Sequence, residues 1–134
     1  MTITVYGRVA PQGSKRHAGN GRMVEMSQHV KPWRDSVNWA AREAARGERI
    51  IGPVSAEMTF TLPRPISAKK NAVPSKQPDI DKLARSTCDA LKMSGVIEDD
   101  SRVVDLRLRK VYPGQHPDAL ETPGAVIRIE AFQR

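Results

Sequence analysis

Residues 55–62, SAEMTFTL, alternate without a break: Ala56, Met58, Phe60 and Leu62 fall on one side, Ser55, Glu57, Thr59 and Thr61 on the other. A period of two predicts a half-buried strand. Residues 2–9, TITVYGRV, repeat the pattern, with Ile3, Val5 and Val9 sharing a side. Residues 103–112 (VVDLRLRKVY) and 125–132 (AVIRIEAF) make two more strands. From about Gln28 to Arg46 the period changes. Val30, Trp33, Val37, Ala40, Ala41 and Ala44 recur at three and four, which predicts a helix that Gly47 ends. Pro32 fits such a helix only in its first turn, which places the start close to Gln28. A second helix is predicted from about Asp79 to Met93, with Ile80, Leu83, Ala84, Thr87 and Leu91 as its buried stripe and Gly95 after it.

Two stretches lack periodicity. Residues 10–26 are rich in Gly and basic residues and predict a mobile loop. Residues 63–78, PRPISAKKNAVPSKQP, hold four prolines with Arg64, Lys69, Lys70 and Lys76. Structureless loops of that length in a small domain are usually functional or disordered. No internal repeat or heptad run appears. The order β-α-β-α-β-β predicts an α/β fold: one small domain over residues 1–134, with a mixed β-sheet of about four strands and two main helices.

Composition narrows the function. A chain of 134 residues supports one core, and no run of about 18 apolar residues is present to span a membrane. The N-terminus, MTITVYGRV, lacks a signal-peptide pattern, and the single Cys88 forms no internal disulfide. Both predict a cytoplasmic setting. His17, His29 and His116 are too scattered for a zinc site. The net charge is +7, unevenly spread. Residues 1–78 hold 13 Lys/Arg against 5 Asp/Glu, residues 79–105 hold 4 against 7, and residues 106–134 hold 5 against 3. An acidic island inside a basic chain changes the picture: the basic surface would hold a polyanion, and the aspartates a cation.

That island is QPDIDKL at 77–83 with GVIEDD at 95–100. Asp79 falls near the N-cap of the second helix and Asp81 in its first turn; Asp81, Arg85, Asp89 and Lys92 lie along its outer face. Each acid has a bland explanation: helix caps for Asp79 and Asp81, a surface pair of Asp81 with Arg85, and a solvated turn for Glu98–Asp100. Taken together they say more. A helix from 79 to 93 is about 21 Å long, and the chain from Ser94 to Asp100 extends at most about 20–23 Å. If that segment doubles back, Asp99 or Asp100 reaches the helix start. Three converging carboxylates repel one another unless a divalent cation sits between them, and hard oxygen ligands suit Mg²⁺. Such ions activate water and stabilise a leaving oxygen in phosphoryl chemistry.

The stretch PDIDKLARSTCDAL followed by SGVIEDDSRVVDLRLRK resembles the RusA-type Holliday-junction resolvases of bacteria and phages, over roughly residues 78–110. The order and spacing look like that family's D-x-D-N-L…K…D-A-L…G-x…D-D-x-x-V-x-D pattern. Over residues 1–60 the likeness is looser, through PQGSKR and the Trp33 helix. The resemblance implies a small homodimeric, Mg²⁺-dependent endonuclease that cuts branched DNA symmetrically; the same carboxylates are expected to accept Mn²⁺ as a substitute. The family's essential aspartates fall on Asp79, Asp81 and Asp100; Asp99, beside them in this sequence, is a candidate to stand behind the ligands. Its helix lysine falls on Arg85, which can hold phosphate but is a poorer proton donor. Its Asn after the DxD is Lys82 here, a further phosphate contact.

Other chemistry finds less support. DIDKL follows NAVPSKQP rather than an apolar strand, unlike the nucleophilic DxD of haloacid-dehalogenase phosphatases. No Walker loop is present, and Cys88 reads as a small core residue. Trp39 lies off the helix stripe and is expected to pack at its edge. Lys15 and Arg16, with His17 and Arg22, form a Gly-flanked basic loop suited to phosphate, as do Lys69, Lys70 and Lys76 just before the aspartates. The sequence therefore predicts a metal-dependent nuclease acting on four-way junctions, flaps or forks, in recombination, repair or phage DNA processing. The alternatives are a DNA-binding protein without catalysis, whose aspartates only cap a helix, and a broader flap or branch nuclease.

Overall fold

The computed structural model of the chain describes residues 1–12 and 21–133. Its elements run β1 (Thr2–Tyr6), α1 (Gly21–Ala45), β2 (Val54–Thr61), α2 (Ile80–Ser94), a 3₁₀ turn (Asp100–Arg102), β3 (Val103–Val111) and β4 (Gly124–Ala131). The four strands form one sheet in the order β1-β4-β2-β3. Strands β2 and β3 are parallel, and the other two pairings are antiparallel. The mixed α/β architecture is the one that the periodicities predict.

Register explains the core. Ile3 faces Ile127 and Val5 faces Ala125 across β1 and β4, while Met58 faces Ile127 and Phe60 faces Ala125 across β2 and β4. All of these are fully buried, with Val54, Ala56 and Ile129 beside them. Each large aliphatic or aromatic side chain removed from water contributes about 1.5–3 kcal/mol before ordering costs. Onto this face α1 lays Trp33, Val37, Ala41 and Ala45, at strict spacings of four, and α2 lays Leu83, Cys88 and Leu91. The two helices meet through a buried hydrogen bond: Trp33 Nε1 donates to Thr87 Oγ1 at 3.1 Å. β4 passes so close to β1 that a Cβ on Gly124 would run into the Val5 carbonyl.

Several expectations are corrected. β1 ends at Tyr6 because Gly7 takes φ 140°, so Val9 is buried outside the strand. Helix α1 begins at Gly21 rather than Gln28, which puts Pro32 in its interior. The run RMVEMSQHVK holds no Gly or Pro, so nothing in it breaks a helix, and Pro32 removes one amide donor without ending it. Ala44 is exposed and Ala45 buried, while Ile80 is half-buried. Trp39, six residues on from Trp33, faces solvent and does not pack at an edge. β2 is not half-buried either. Thr59 and Thr61, on its far side, are fully covered. Arg109 donates to Thr59 Oγ1 at 2.8 Å and the Leu120 amide donates to Thr61 Oγ1 at 2.9 Å, so the 112–123 connection and β3 roof that face. No helix among the described residues is long and apolar enough to cross a membrane.

Candidate active site

The two parallel strands and the helix between them place the N-terminus of α2 at the edge where β2 ends. Asp79 has N-cap backbone geometry, φ −70° and ψ 135°, but its side chain caps nothing. Its carboxylate instead stands 3.5 Å from Lys82 Nζ. Asp81, in the first turn, is exposed, and among the described residues neither it nor Arg85 makes an ion pair within 4 Å. The proposal that these acids are mere caps finds no hydrogen bond to support it at Asp79.

What surrounds them is firmly tied. Lys110, near the end of β3, donates to the carbonyls of Lys76 and Pro78 at 2.8 and 2.9 Å, clamping the segment that enters Asp79. The Gln12 amide donates to the Lys82 carbonyl at 3.0 Å, and Ser86 Oγ donates to the Ala10 carbonyl at 2.6 Å. Sequence reasoning gave Lys110 no role. The signal was present: it shares a register side with Leu106 and Leu108, where a lysine breaks an apolar pattern.

The other end of α2 positions the second acidic group. Gly95 ends the helix in the left-handed conformation (φ 82°) with its amide on the Lys92 carbonyl. Val96 and Ile97 are buried, and Ile97 bridges to Ile50. Glu98 accepts from the Gly52 amide at 2.7 Å and pairs with Arg102 at 3.6 Å, so it is a structural brace. Asp99 accepts from the Ser101 hydroxyl and amide and pairs with Lys92 Nζ at 2.9 Å. The Ser101 hydroxyl, then Lys92, holds its carboxyl well below the usual carboxylate range. Asp99 thus fixes the 3₁₀ turn that presents Asp100.

Asp100 is exposed and lies near Cys88 and Lys92, on which its charge acts. Burial pushes the Cys88 thiol up to about 11, with Asp100 and Asp89 adding to the effect, which suits an inert core thiol. Cys88 lies roughly 10 Å along the helix axis from Asp81. Asp99 meets α2 at Lys92, in the last turn of the helix and not at its start as the doubling-back would require. Among the described residues, no three His, Cys, Asp or Glu side chains are gathered closely enough to hold a metal ion. Asp79, Asp81 and Asp100 offer the hard oxygen chemistry that Mg²⁺ takes, on exposed side chains. Asp89, on the same helix face, is paired with Arg34 at 3.9 Å.

Lys69, Lys70 and Lys76 are exposed on the loop that leads to the aspartates, and Lys82 is partly exposed. Arg64 organises that loop through the carbonyls of Lys69 and Lys70. Lys15, Arg16 and His17 of the first basic loop lie outside the described residues, as does the side chain of Arg22. Beyond the ends of β2 and β3, next to Pro78, opens a cavity of about 320 Å³ that periodicity could not reveal.

A family model described as Endodeoxyribonuclease RusA matches residues 7–130. The chain is similar to the crossover junction endodeoxyribonuclease RusA of Aquifex aeolicus, at 24% identity over 92% of this chain and 85% of the relative. It is also similar to the uncharacterized protein YqaN of Bacillus subtilis, at 31% identity over 84% of this chain and 87% of the relative.

Proposed function

Because the chain belongs to the Endodeoxyribonuclease RusA family, we propose that it is a magnesium-dependent endonuclease hydrolysing phosphodiesters in branched DNA, four-way junctions first among them. The observation that carries this reading is at Asp79, a carboxylate in the N-cap position that caps nothing, two residues before an exposed Asp81 that makes no ion pair among the described residues. Asp79, Asp81 and Asp100 would hold Mg²⁺, with Mn²⁺ able to replace it. A bound ion would offset the repulsion of gathered carboxylates and supply a Lewis acid for the phosphate and its attacking water. These exposed side chains have the rotamer freedom that gathering them requires.

The remaining parts belong to the chain. Arg85, one turn after Asp81, holds a phosphate oxygen and offsets charge that develops on it. An arginine is a poorer proton donor than a lysine, so the role of Arg85 is to bind phosphate and offset charge. Lys69, Lys70, Lys76 and Lys82 neutralise flanking phosphates, and Lys15 and Arg16 extend that grip. A homodimer would face two such sites toward opposite strands, as symmetric cutting of a junction requires. The protein would act in the cytoplasm of a bacterial or phage-infected cell, in recombination, repair or phage DNA processing.

One observation favours a second reading. The carboxylates are not gathered among the described residues, as expected for a DNA-binding protein without catalysis. Metal separates the two. A labelled four-way junction is incubated with Mg²⁺, Mn²⁺ or EDTA, beside Asp81→Asn and a linear duplex. Metal-dependent nicking of the junction, lost about a hundredfold or more in Asp81→Asn while binding persists, supports the nuclease. Binding without cleavage under every metal condition leaves only the second reading.

A further inference from the structure

Apart from Lys76, the cavity beside Pro78 is shaped by residues that the proposed chemistry does not use. Its floor is built by Leu62 and Tyr112, where β2 and β3 end, and its sides by Pro63, Pro65 and Pro74. The segment Lys76-Gln77-Pro78 forms the wall nearest Asp79. The rim carries Arg8, Lys76 and His29. Proline rings bring fixed φ and little side-chain freedom, so the walls are preformed. Tyr112 is likewise held, buried beneath the Arg64 guanidinium at 5.6 Å from its ring centre. The opening lies beyond the carboxyl ends of two parallel strands, the usual place for a ligand in an open α/β sheet.

We propose that this cavity receives one unstacked nucleobase of branched DNA, from the strand whose backbone lies at Asp79 and Asp81. The inference rests on the branched-DNA reading above and deepens it. Size selects the occupant: about 320 Å³ is at the lower end for small-ligand sites, room for one planar heterocycle. Charge agrees, because Arg8 and Lys76 at the rim suit the phosphates on either side of an inserted base. The Gln77 amide and His29 imidazole offer donor and acceptor atoms to a base edge. Adjacency completes the argument: Pro78 lines the cavity and the next residue is Asp79. A base leaves its stack most cheaply where pairing is already interrupted, so the pocket favours a branch point over intact duplex. Selection of DNA shape and placement of the scissile phosphate would then be one event.

The test reads binding without metal, so it does not depend on cleavage. Four-way junctions carrying one abasic nucleotide at successive positions around the branch are titrated with wild type in EDTA, by fluorescence anisotropy. At one position, loss of the base weakens binding about tenfold or more. His29→Trp, which fills the cavity, binds the intact junction as weakly as wild type binds that abasic one, with no further loss on the abasic one. Pro65→Trp fills the same space from an exposed loop and gives the same result if His29→Trp does not fold. Gln77→Ala keeps the abasic effect but alters the preference among the four bases there. Equal binding of wild type to every abasic junction overturns the proposal. So does a filled variant that loses affinity equally for intact and abasic DNA, which assigns the cavity to another occupant such as a peptide or a second copy. Base-dependent binding without cleavage in any metal would leave the pocket standing and sink only the nuclease.

Discussion

The Lys110 ammonium donates to the Pro78 carbonyl at 2.9 Å, joining the end of β3 to the residue immediately before Asp79. A second bond, to the Lys76 carbonyl, makes the contact a clamp. The entry angle of the DxD segment is therefore set by a strand that arrives 32 residues later. Lys110→Met should lower metal-dependent cleavage about 10- to 100-fold, as loss of a group that orients metal ligands does. Junction binding in EDTA should stay within about twofold of wild type, since no phosphate contact is removed. Initial rates and anisotropy measured side by side check this. Unchanged cleavage would show that the clamp serves the loop alone.

Trp33 and Thr87 form the polar joint between the two helices, and the Thr87 hydroxyl in turn donates a hydrogen bond to the Leu83 carbonyl at 2.8 Å. Thr87→Val should destabilise the fold by about 1–3 kcal/mol, because it leaves a buried indole N–H without a partner. Trp33→Phe should cost a similar amount through lost volume and a lost bond. The double variant should lose less than the sum, as residues in contact do. Urea denaturation of the four proteins measures the coupling; strict additivity would argue against the joint.

Asp118 receives two bonds from Arg128, at 2.8 and 2.7 Å, on the outer face of the sheet. The Arg128 guanidinium holds the Asp118 carboxyl below the usual carboxylate range. A depressed folded-state pKa contributes stability above the unfolded pKa, near 3.9, and loses it as pH falls through the folded value. Asp118→Asn should melt below wild type at neutral pH, and the gap should close as pH drops beneath about 4. A gap that stays constant across thermal melts from pH 7 to pH 3 would assign the effect to packing.

Lys69 and Lys70 stand exposed on the loop before Asp79. If each neutralises a phosphate, replacing both with Ala should reduce the slope of log affinity against log salt by about 0.9 for each lysine. Affinity titrations between about 50 and 200 mM salt give that slope directly. An unaltered slope would place the DNA path elsewhere.

Local pattern carried most of the fold. Ala56, Met58 and Phe60 alternate because they meet the helices, and all three are buried as their spacing predicts. Burial of Thr59 and Thr61 was illegible because their cover comes from Arg109 and Leu120, about 50 residues away. Pro32 misled in the other direction: the first-turn rule describes average cost, and here α1 carries the proline in its interior. In the site, the placement of Asp79 and Asp81 at the start of α2 followed from helix signals. Asp99 as the brace that pairs with Lys92, and Lys110 as the clamp, depend on side-chain contacts between elements, which spacing does not encode.

The strand order has a consequence for how the protein is made. β1, which leaves the ribosome before the other strands of this sheet, has β4 as its sheet neighbour, and β2 takes one of its two neighbours from the same late strand. Until residues 124–131 emerge, Ile3, Val5, Met58 and Phe60 lack the strand that lies between them in the sheet. The sheet is therefore finished only after β4 has emerged. Helices α1 and α2 can pair early, but the surface that they cover is complete only when the last strand slides into the middle.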